Sequence, residues 1–359
     1  MEFALYGERI MDTFVSVIIP TFKRAPFLTH ALEALKRQTY KNFEVIVVVK
    51  PGGDETDKVL EKYRLDLPLK IIIQNEEFVS KAYNMGLKEA KGDIIAIMDD
   101  DSVPFDDWLE KHLEAYKRFQ RLGGISGSAL NAKITERKEL EQIPETDHMY
   151  MRWRDFYYSS WSYNRPLDGM SNWWIFFGRD GLVHQRPLSF KENRQQAVRS
   201  LLLMGANMSV KREAISGLKI EEDLILGFSY EQLLAYQIWR RGYELMHDPT
   251  IKVYHIVHAE SLGRFFKSPS RAAHRDAEYI LSFFIIKSSS REVSWVPFTL
   301  ELVSLVASRA LNAKKYGFAV SIARIYGLIY GTVVGCGYYI SRMSKGNFSI
   351  KTALRKFVK

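Results

Sequence analysis

Asp93-Ile-Ile-Ala-Ile-Met-Asp-Asp-Asp-Ser-Val-Pro104 is the stretch on which the reading of this chain turns. Its first half is apolar at every position from Ile94 to Met98, the pattern of a strand buried on both faces. Its second half sets three carboxylates, Asp99, Asp100 and Asp101, where that strand would emerge. Similar runs precede it: Val15–Ile19 ending at Pro20, Glu44–Val49, and Leu69–Ile73. Between them lie stretches with helical character, the first with apolar Leu28, Ala31, Leu32 and Leu35, then Glu55–Tyr63 and Lys81–Ala90. Continuous apolar strands separated by such helices predict βαβ units, hence an α/β fold with a mostly parallel central sheet flanked by helices.

The rest of the composition fits that frame. The chain has 359 residues, 47% hydrophobic and 26% charged, which excludes a wholly disordered, collagen-like or disulfide-scaffold protein. One cysteine, Cys336, excludes an internal disulfide and a cysteine metal cluster and favours a reducing compartment. Met1–Met11 carries Glu2, Glu8 and Arg9, so a secretory signal is not expected there. Residues 130–200 are rich in aromatics, among them Trp153, Trp161, Trp173 and Trp174, and helical character returns over Lys211–Arg241. From His258 onward the chain reads as mostly helical, with Pro297 a breaker before Phe298–Leu311.

Charge is unevenly spread. The net value is +9, yet His258–Lys359 holds 16 Lys+Arg against 5 Asp+Glu, leaving 35 against 37 before it. The basic excess therefore belongs to the C-terminal quarter, which is also apolar. Ile325–Ser341 is 17 residues without a charge, and Ser341–Lys359 has six basic and no acidic residues. That combination, with Trp295–Leu311, suits helices lying on an anionic membrane surface better than a nucleic-acid arm. A buried helical subdomain and a transmembrane helix are the other readings of the same stretch.

Carboxylates at the carboxyl end of a parallel strand occupy the edge where open α/β sheets bind ligands. Asp99 and Asp101, two apart, share a side if the extended conformation continues. Two hard oxygen donors there suit Mg²⁺ or Mn²⁺, which can in turn hold a diphosphate. The same residues would also serve as a solvated turn before a helix, with Asp106 and Asp107 in its first turn. An EF-hand is excluded, because loop position 6 is Pro104 where a glycine is needed.

Taken together, Val15-Ser-Val-Ile-Ile-Pro-Thr-Phe-Lys-Arg24, Ala82–Asp93, Asp99–Asp101, Gly205–Arg212 and Arg241–Pro249 through Val253-Tyr-His255 resemble, in order, the motifs of family 2 inverting glycosyltransferases. The resemblance covers about Phe14 to His258. It implies a GT-A nucleotide-sugar fold over 1–258, with a nucleotide-sugar-binding half at 1–130 and an acceptor-side half at 131–258. A basic, apolar, membrane-associating helical region would then fill 259–359. The same resemblance implies metal ligation by Asp99, Asp101 and His255, with His258 a rival for the last role. Glu231 would be the general base. Pro20, Thr21, Arg24, Lys50, Lys81, Asp99, Asp100 and Asn207 would line the nucleotide sugar. Trp173 and Trp174 are weaker candidates for stacking on the acceptor, with core packing as their alternative. Two positions depart from the family pattern. Val49 and Lys50 stand where aspartates usually contact the base, and Tyr230-Glu231 stands where a Glu-Asp pair is usual.

The function expected on this basis is a metal-dependent, inverting transfer of sugar from a nucleoside-diphosphate sugar to a saccharide or lipid-linked acceptor. The setting would be the cytoplasmic face of the membrane. A polyprenyl-phosphate sugar transferase and a non-catalytic nucleotide-sugar or glycan binder are the alternatives. No nucleic-acid partner is expected.

Overall fold

A computed structural model describes residues 13–76, 78–137, 139–143, 165–186, 196–222, 224, 230–258 and 268–355. Trp153 and Trp161 lie outside the described residues. The strands and helices alternate at first: β1 (Val15–Thr21), α1 (Ala25–Lys36), β2 (Phe43–Val49), α2 (Thr56–Tyr63), β3 (Leu69–Ile73), α3 (Val79–Glu89) and β4 (Ile94–Ile97). Next come β5 (Ser102–Pro104), α4 (Trp108–Arg118), β6 (Leu122–Ile134), β7 (Leu140–Gln142), β8 (Ile175–Phe177), β9 (Val183–Gln185), β10 (Val198–Arg199) and β11 (Met208–Lys211). The chain continues with α5 (Tyr230–Arg240), β12 (Glu244–Ile256), α6 (Pro269–Lys287), α7 (Trp295–Leu311) and α8 (Phe318–Met343).

Among the described residues one sheet of ten strands runs β10-β12-β6-β11-β4-β1-β2-β3, with β5 paired to β12 and β7 to β6. β4, β1, β2 and β3 are mutually parallel, as their unbroken apolar runs predict; β11 enters antiparallel between β4 and β6. β1 and β2 are buried almost throughout because helices cover both faces, whereas β3 is the sheet edge and leaves Ile73 half exposed. α1 presents Leu28, Ala31, Leu32 and Leu35 to that core at three- and four-residue steps, and a proline opens its first turn, where no N–H partner is needed.

The chain divides into two compact units. One comprises Met1–Thr146, Leu188–Ile220 and Leu234–His258; the other comprises Asp147–Pro187, Glu221–Leu233 and Ala259–Lys359. In that second unit the β8–β9 hairpin packs on α6: the Tyr279 hydroxyl donates to the Val183 carbonyl at 2.9 Å, and Ser282 Oγ donates to the Gly181 carbonyl at 2.9 Å. Gly181, at φ +70°, sits against Phe283, where a side chain would collide. Phe283 stacks on Phe298 of α7 at 4.0 Å between centroids. Pro297 does not stop α7 but lies in its first turn, where proline removes no intrahelical hydrogen bond.

Candidate functional site

The strand ends of the sheet collect the charged groups. After Ile97 the backbone turns, with the Ser102 N–H donating to the Asp99 carbonyl at 3.1 Å. The extended spacing assumed for Asp99 and Asp101 therefore does not hold, and their carboxylates converge through the turn instead. β5 then pairs antiparallel with β12, setting His255 opposite Ser102. The Ile256 N–H donates to the Asp101 carbonyl at 2.9 Å and fixes that register. One oxygen or nitrogen from each of Asp99, Asp101 and His255 lies within 4.8 Å of the others.

Each carboxylate has a distinct environment. Asp99 accepts a hydrogen bond from the Tyr83 hydroxyl at 3.0 Å. Asp100 is buried and turns away from the cluster, accepting from Thr21 Oγ1 at 2.8 Å and Arg24 Nη1 at 3.0 Å. The same Arg24 nitrogen donates to Asp101 Oδ2 at 2.9 Å, and His258 Nε2 lies 2.9 Å from that oxygen. The His258 ring is itself stacked on Phe27, 4.6 Å between centroids. The other oxygen, Asp101 Oδ1, is buried, accepts no hydrogen bond, and faces His255 Nε2 at 3.3 Å.

These surroundings set the protonation states. Burial pushes Asp100 up to about 7, against the opposing pull of the Arg24 guanidinium. Burial, with the neighbouring charge of Asp101, also raises Asp99. Asp101 goes the other way: burial works against its charge, but the His255 and His258 imidazoles and Arg24 outweigh it and hold the carboxyl well below the usual carboxylate range. His255 is raised, because the nearby carboxylates overcome the cost of burying its charged form. Asp101 is thus an anion at neutral pH.

Two carboxylates and an imidazole, with the buried Asp101 Oδ1 facing His255, suit a divalent cation such as Mn²⁺ or Mg²⁺. The residues fit the group. Of the other expected site residues, Pro20 and Thr21 close β1 at the same sheet edge. Lys50 follows β2, its N–H donating to the Thr21 carbonyl at 3.0 Å and its ammonium 4.8 Å from the ring of Phe22. Lys81 pairs with Glu76. Glu231 lies in the first turn of α5, and the preceding Gly227–Ser229 lie outside the described residues.

Three expectations are corrected by burial. Asn207 is 0% exposed, donating from Nδ2 to the carbonyls of Ser128 and Ile251 and accepting at Oδ1 from Trp108 Nε1 at 2.8 Å, so it serves the core and lines no surface. Trp173 and Trp174 are buried as well, which removes them from stacking on a free sugar in this structure. Two contributors were not singled out from sequence. Tyr83 sat within a quoted motif, one helical turn after the start of α3. Phe27 gave no signal, since its role depends on a histidine far along the chain.

The family model for glycosyl transferase family 2 matches residues 16–215. An uncharacterised glycosyltransferase of Rickettsia felis is 32% identical over 103 residues, 29% of this chain and 17% of that protein. A dolichyl N-acetyl-alpha-D-glucosaminyl phosphate 3-beta-D-2,3-diacetamido-2,3-dideoxy-beta-D-glucuronosyltransferase of Methanococcus voltae is 28% identical over 174 residues, 45% of this chain and 47% of that protein. The chain thus matches less than half the length of these relatives. Among solved structures, a mannosyltransferase from Pyrobaculum calidifontis in complex with GDP-Man and Mn²⁺ aligns with TM-score 0.51 and 17% identity, over 96% of this chain and 85% of that one. GalNAc-T7 with UDP, GalNAc and Mn²⁺ aligns with TM-score 0.56 and 14% identity, over 92% and 57%. At such identities the likeness concerns the fold, which is of GT-A type.

Proposed function

Because the chain belongs to glycosyl transferase family 2, we propose that it moves a sugar from a nucleoside-diphosphate sugar to a hydroxyl of a glycan or lipid-linked acceptor, inverting the anomeric carbon. The observation that carries this reading is the convergence of Asp99, Asp101 and His255 around the buried Asp101 oxygen at the sheet edge. Their donor set would hold Mn²⁺ or Mg²⁺. The ion, when bound, supplies positive charge to the departing diphosphate.

The protein's own groups do the rest. Arg24 and His258 hold Asp101 Oδ2, so that Oδ1 is the oxygen left for a ligand. Thr21 and Arg24 fix Asp100 as a structural neighbour rather than a ligand. Glu231 takes the acceptor's proton as the acceptor oxygen forms its bond to the anomeric carbon and the bond to the diphosphate breaks. Support for that role is its motif and its position in the first turn of α5. Lys50 meets the base, and Lys81 the diphosphate. The C-terminal helices attach the enzyme to the cytoplasmic face of the membrane, near a lipid-linked acceptor.

The test is calorimetry of UDP, GDP and dTDP binding with and without Mn²⁺, on the parent and Asp101→Asn. The parent should bind at least one nucleotide in a metal-dependent manner, and the variant should lose at least about 100-fold in affinity, the scale of a lost metal ligand's support. Equal, metal-independent affinities in both proteins would refute the reading.

A further inference from the structure

Beside its apolar core the second unit buries charged side chains while leaving bulky aliphatic ones outside. The inward side of α7 carries Glu301, at 0% exposure, and Arg309, beside Phe298 and Leu305. Its outward side carries Val296, Leu300 and Val303, the last 63% exposed. Asp276 of α6 is buried and accepts from Arg309 Nε at 3.1 Å and from Arg324 Nε of α8 at 2.9 Å. Withdrawing such groups from water is costly, whereas leaving bulky aliphatic side chains outside gains nothing in water.

Close packing fixes which side of α8 faces out. A Cβ on Gly327 would stand 2.0 Å from the Ala273 carbonyl oxygen, and one on Gly331 would stand 2.6 Å from that of Ala277. Only glycine lets α8 close on α6 at these points. The opposite side then presents Phe318, Ile322, Tyr326, Ile329, Val333 and Ile340 at helical steps.

Charge selects what covers this face. Leu302–Lys359 contains ten Lys+Arg and no Asp or Glu. Arg309 and Arg324 are engaged by Asp276. The others bracket the apolar face: Lys314 and Lys315 precede α8, Arg342 and Lys345 close it, and Lys351 and Arg355 follow. A second copy of the chain would bring like charges together. An anionic lipid surface offers both an apolar phase and countercharge.

We infer that the outward faces of α7 and α8 are immersed in one anionic lipid leaflet, with α8 lying in its plane rather than crossing the bilayer. This rests on the membrane attachment proposed above and specifies its surface and orientation. By length and apolar composition α8 is the one helix among the described residues that could cross a membrane. Its basic groups stand at both ends, about 39 Å apart for 26 residues at 1.5 Å each. That separation fits a flat helix and a crossing one alike, so the packing of α8 decides between them. Crossing would carry into lipid the α6 side to which α8 is packed, with its buried ion cluster.

Vesicles of phosphatidylcholine with phosphatidylglycerol, and of phosphatidylcholine alone, test this on the full chain. The parent should sediment with the anionic vesicles. Val333→Asp on α8 and Val303→Asp on α7, both at exposed positions, should each weaken that binding by at least about tenfold, since each sets a charge in the apolar phase. Their melting temperatures and nucleotide binding should match the parent's, which separates this inference from the catalytic one. With Cys336→Ser as background, Lys314→Cys and Lys345→Cys should both react with a membrane-impermeant maleimide added outside sealed vesicles. Protection of one of them would overturn the in-plane orientation. A parent that ignores anionic vesicles, or forms a soluble dimer that Val333→Asp dissociates, would overturn the lipid assignment.

Discussion

In the sheet unit, β1, β2 and β4 bury Val17, Ile46 and Ile97, while the turn after β4 and the end of β12 bring Asp99, Asp101 and His255 together. In the helical unit, α6, α7 and α8 bury Asp276, Arg309 and Arg324 and turn Val303 and Val333 outward. The first arrangement is what water selects: an apolar interior, with buried charge tolerated only where a ligand would use it. The second is the arrangement expected if, as inferred above, the outward faces of α7 and α8 meet lipid.

Replacing the ion at the centre of the helical unit should break this comparison most severely. Asp276→Asn removes the carboxylate that two buried guanidinium groups share, and should destabilise the second unit by about 3–5 kcal/mol. The effect has a pH signature. Burial acts to raise Asp276, but Arg309 and Arg324 prevail and hold it below its ordinary value. A depressed carboxylate contributes stability in full above its unfolded pKa, near 3.9, and loses it as pH falls toward the folded value. Chemical denaturation should therefore give a parent–variant gap that is constant from pH 7 to 5 and narrows below about pH 4. A gap that stays flat to pH 2 would show that the ionised form of Asp276 does not anchor the helices.

Next in size is Glu231→Gln, which keeps the shape of the side chain and removes its basicity. Turnover should fall about 10²-fold, or about 2.7 kcal/mol of transition-state stabilisation, with nucleotide affinity unchanged. Equal turnover would hand the base role to another carboxylate, Glu222 or Asp223 first.

Much of the sheet unit was legible because its signals are local. The runs Val15–Ile19 and Ile94–Met98 need no partner to be read as buried parallel strands, and the aspartates follow directly in sequence. What stayed hidden depends on contacts between distant residues. Nothing near Asn207 indicates that Trp108, Ser128 and Ile251 will satisfy its amide, and nothing near Phe27 announces His258. The insertion of β11 between β4 and β6 is equally non-local. In the helical unit the charge excess was visible, but the inward placement of Glu301 and Asp276 was not, since helical spacing identifies a face without saying which face meets solvent.

Asn207→Ala sharpens the contrast between core and edge within the sheet unit. The change strands the indole N–H of Trp108 and two carbonyls that are otherwise paired. A cost of about 1–3 kcal/mol in stability should follow, the scale for a buried polar group losing its partner. Metal-dependent nucleotide affinity should stay within about twofold. A large affinity loss at unchanged stability would return Asn207 to the ligand site.

Lys50→Ala should have the smallest effect on the fold and probes the edge directly. The ammonium stands over Phe22, an exposed ring at the end of β1, while the Lys50 backbone continues the β1–β2 pairing through its N–H. Truncation leaves that backbone bond in place and removes only the contact with the ring, worth about 0.5–1 kcal/mol at an exposed site. Stability should therefore change by less than about 1 kcal/mol. Nucleotide binding is the informative readout, because a cation here can donate to the carbonyl oxygen of a base but cannot accept from its N–H, as the aspartates usual at this position would. Titrating UDP, GDP, dTDP and ADP into parent and variant should show the three oxo-bases weakened relative to ADP, which has no carbonyl on its base. A uniform loss across all four would mean that Lys50 meets the phosphates instead. No loss for any of them would place the base away from the end of β2.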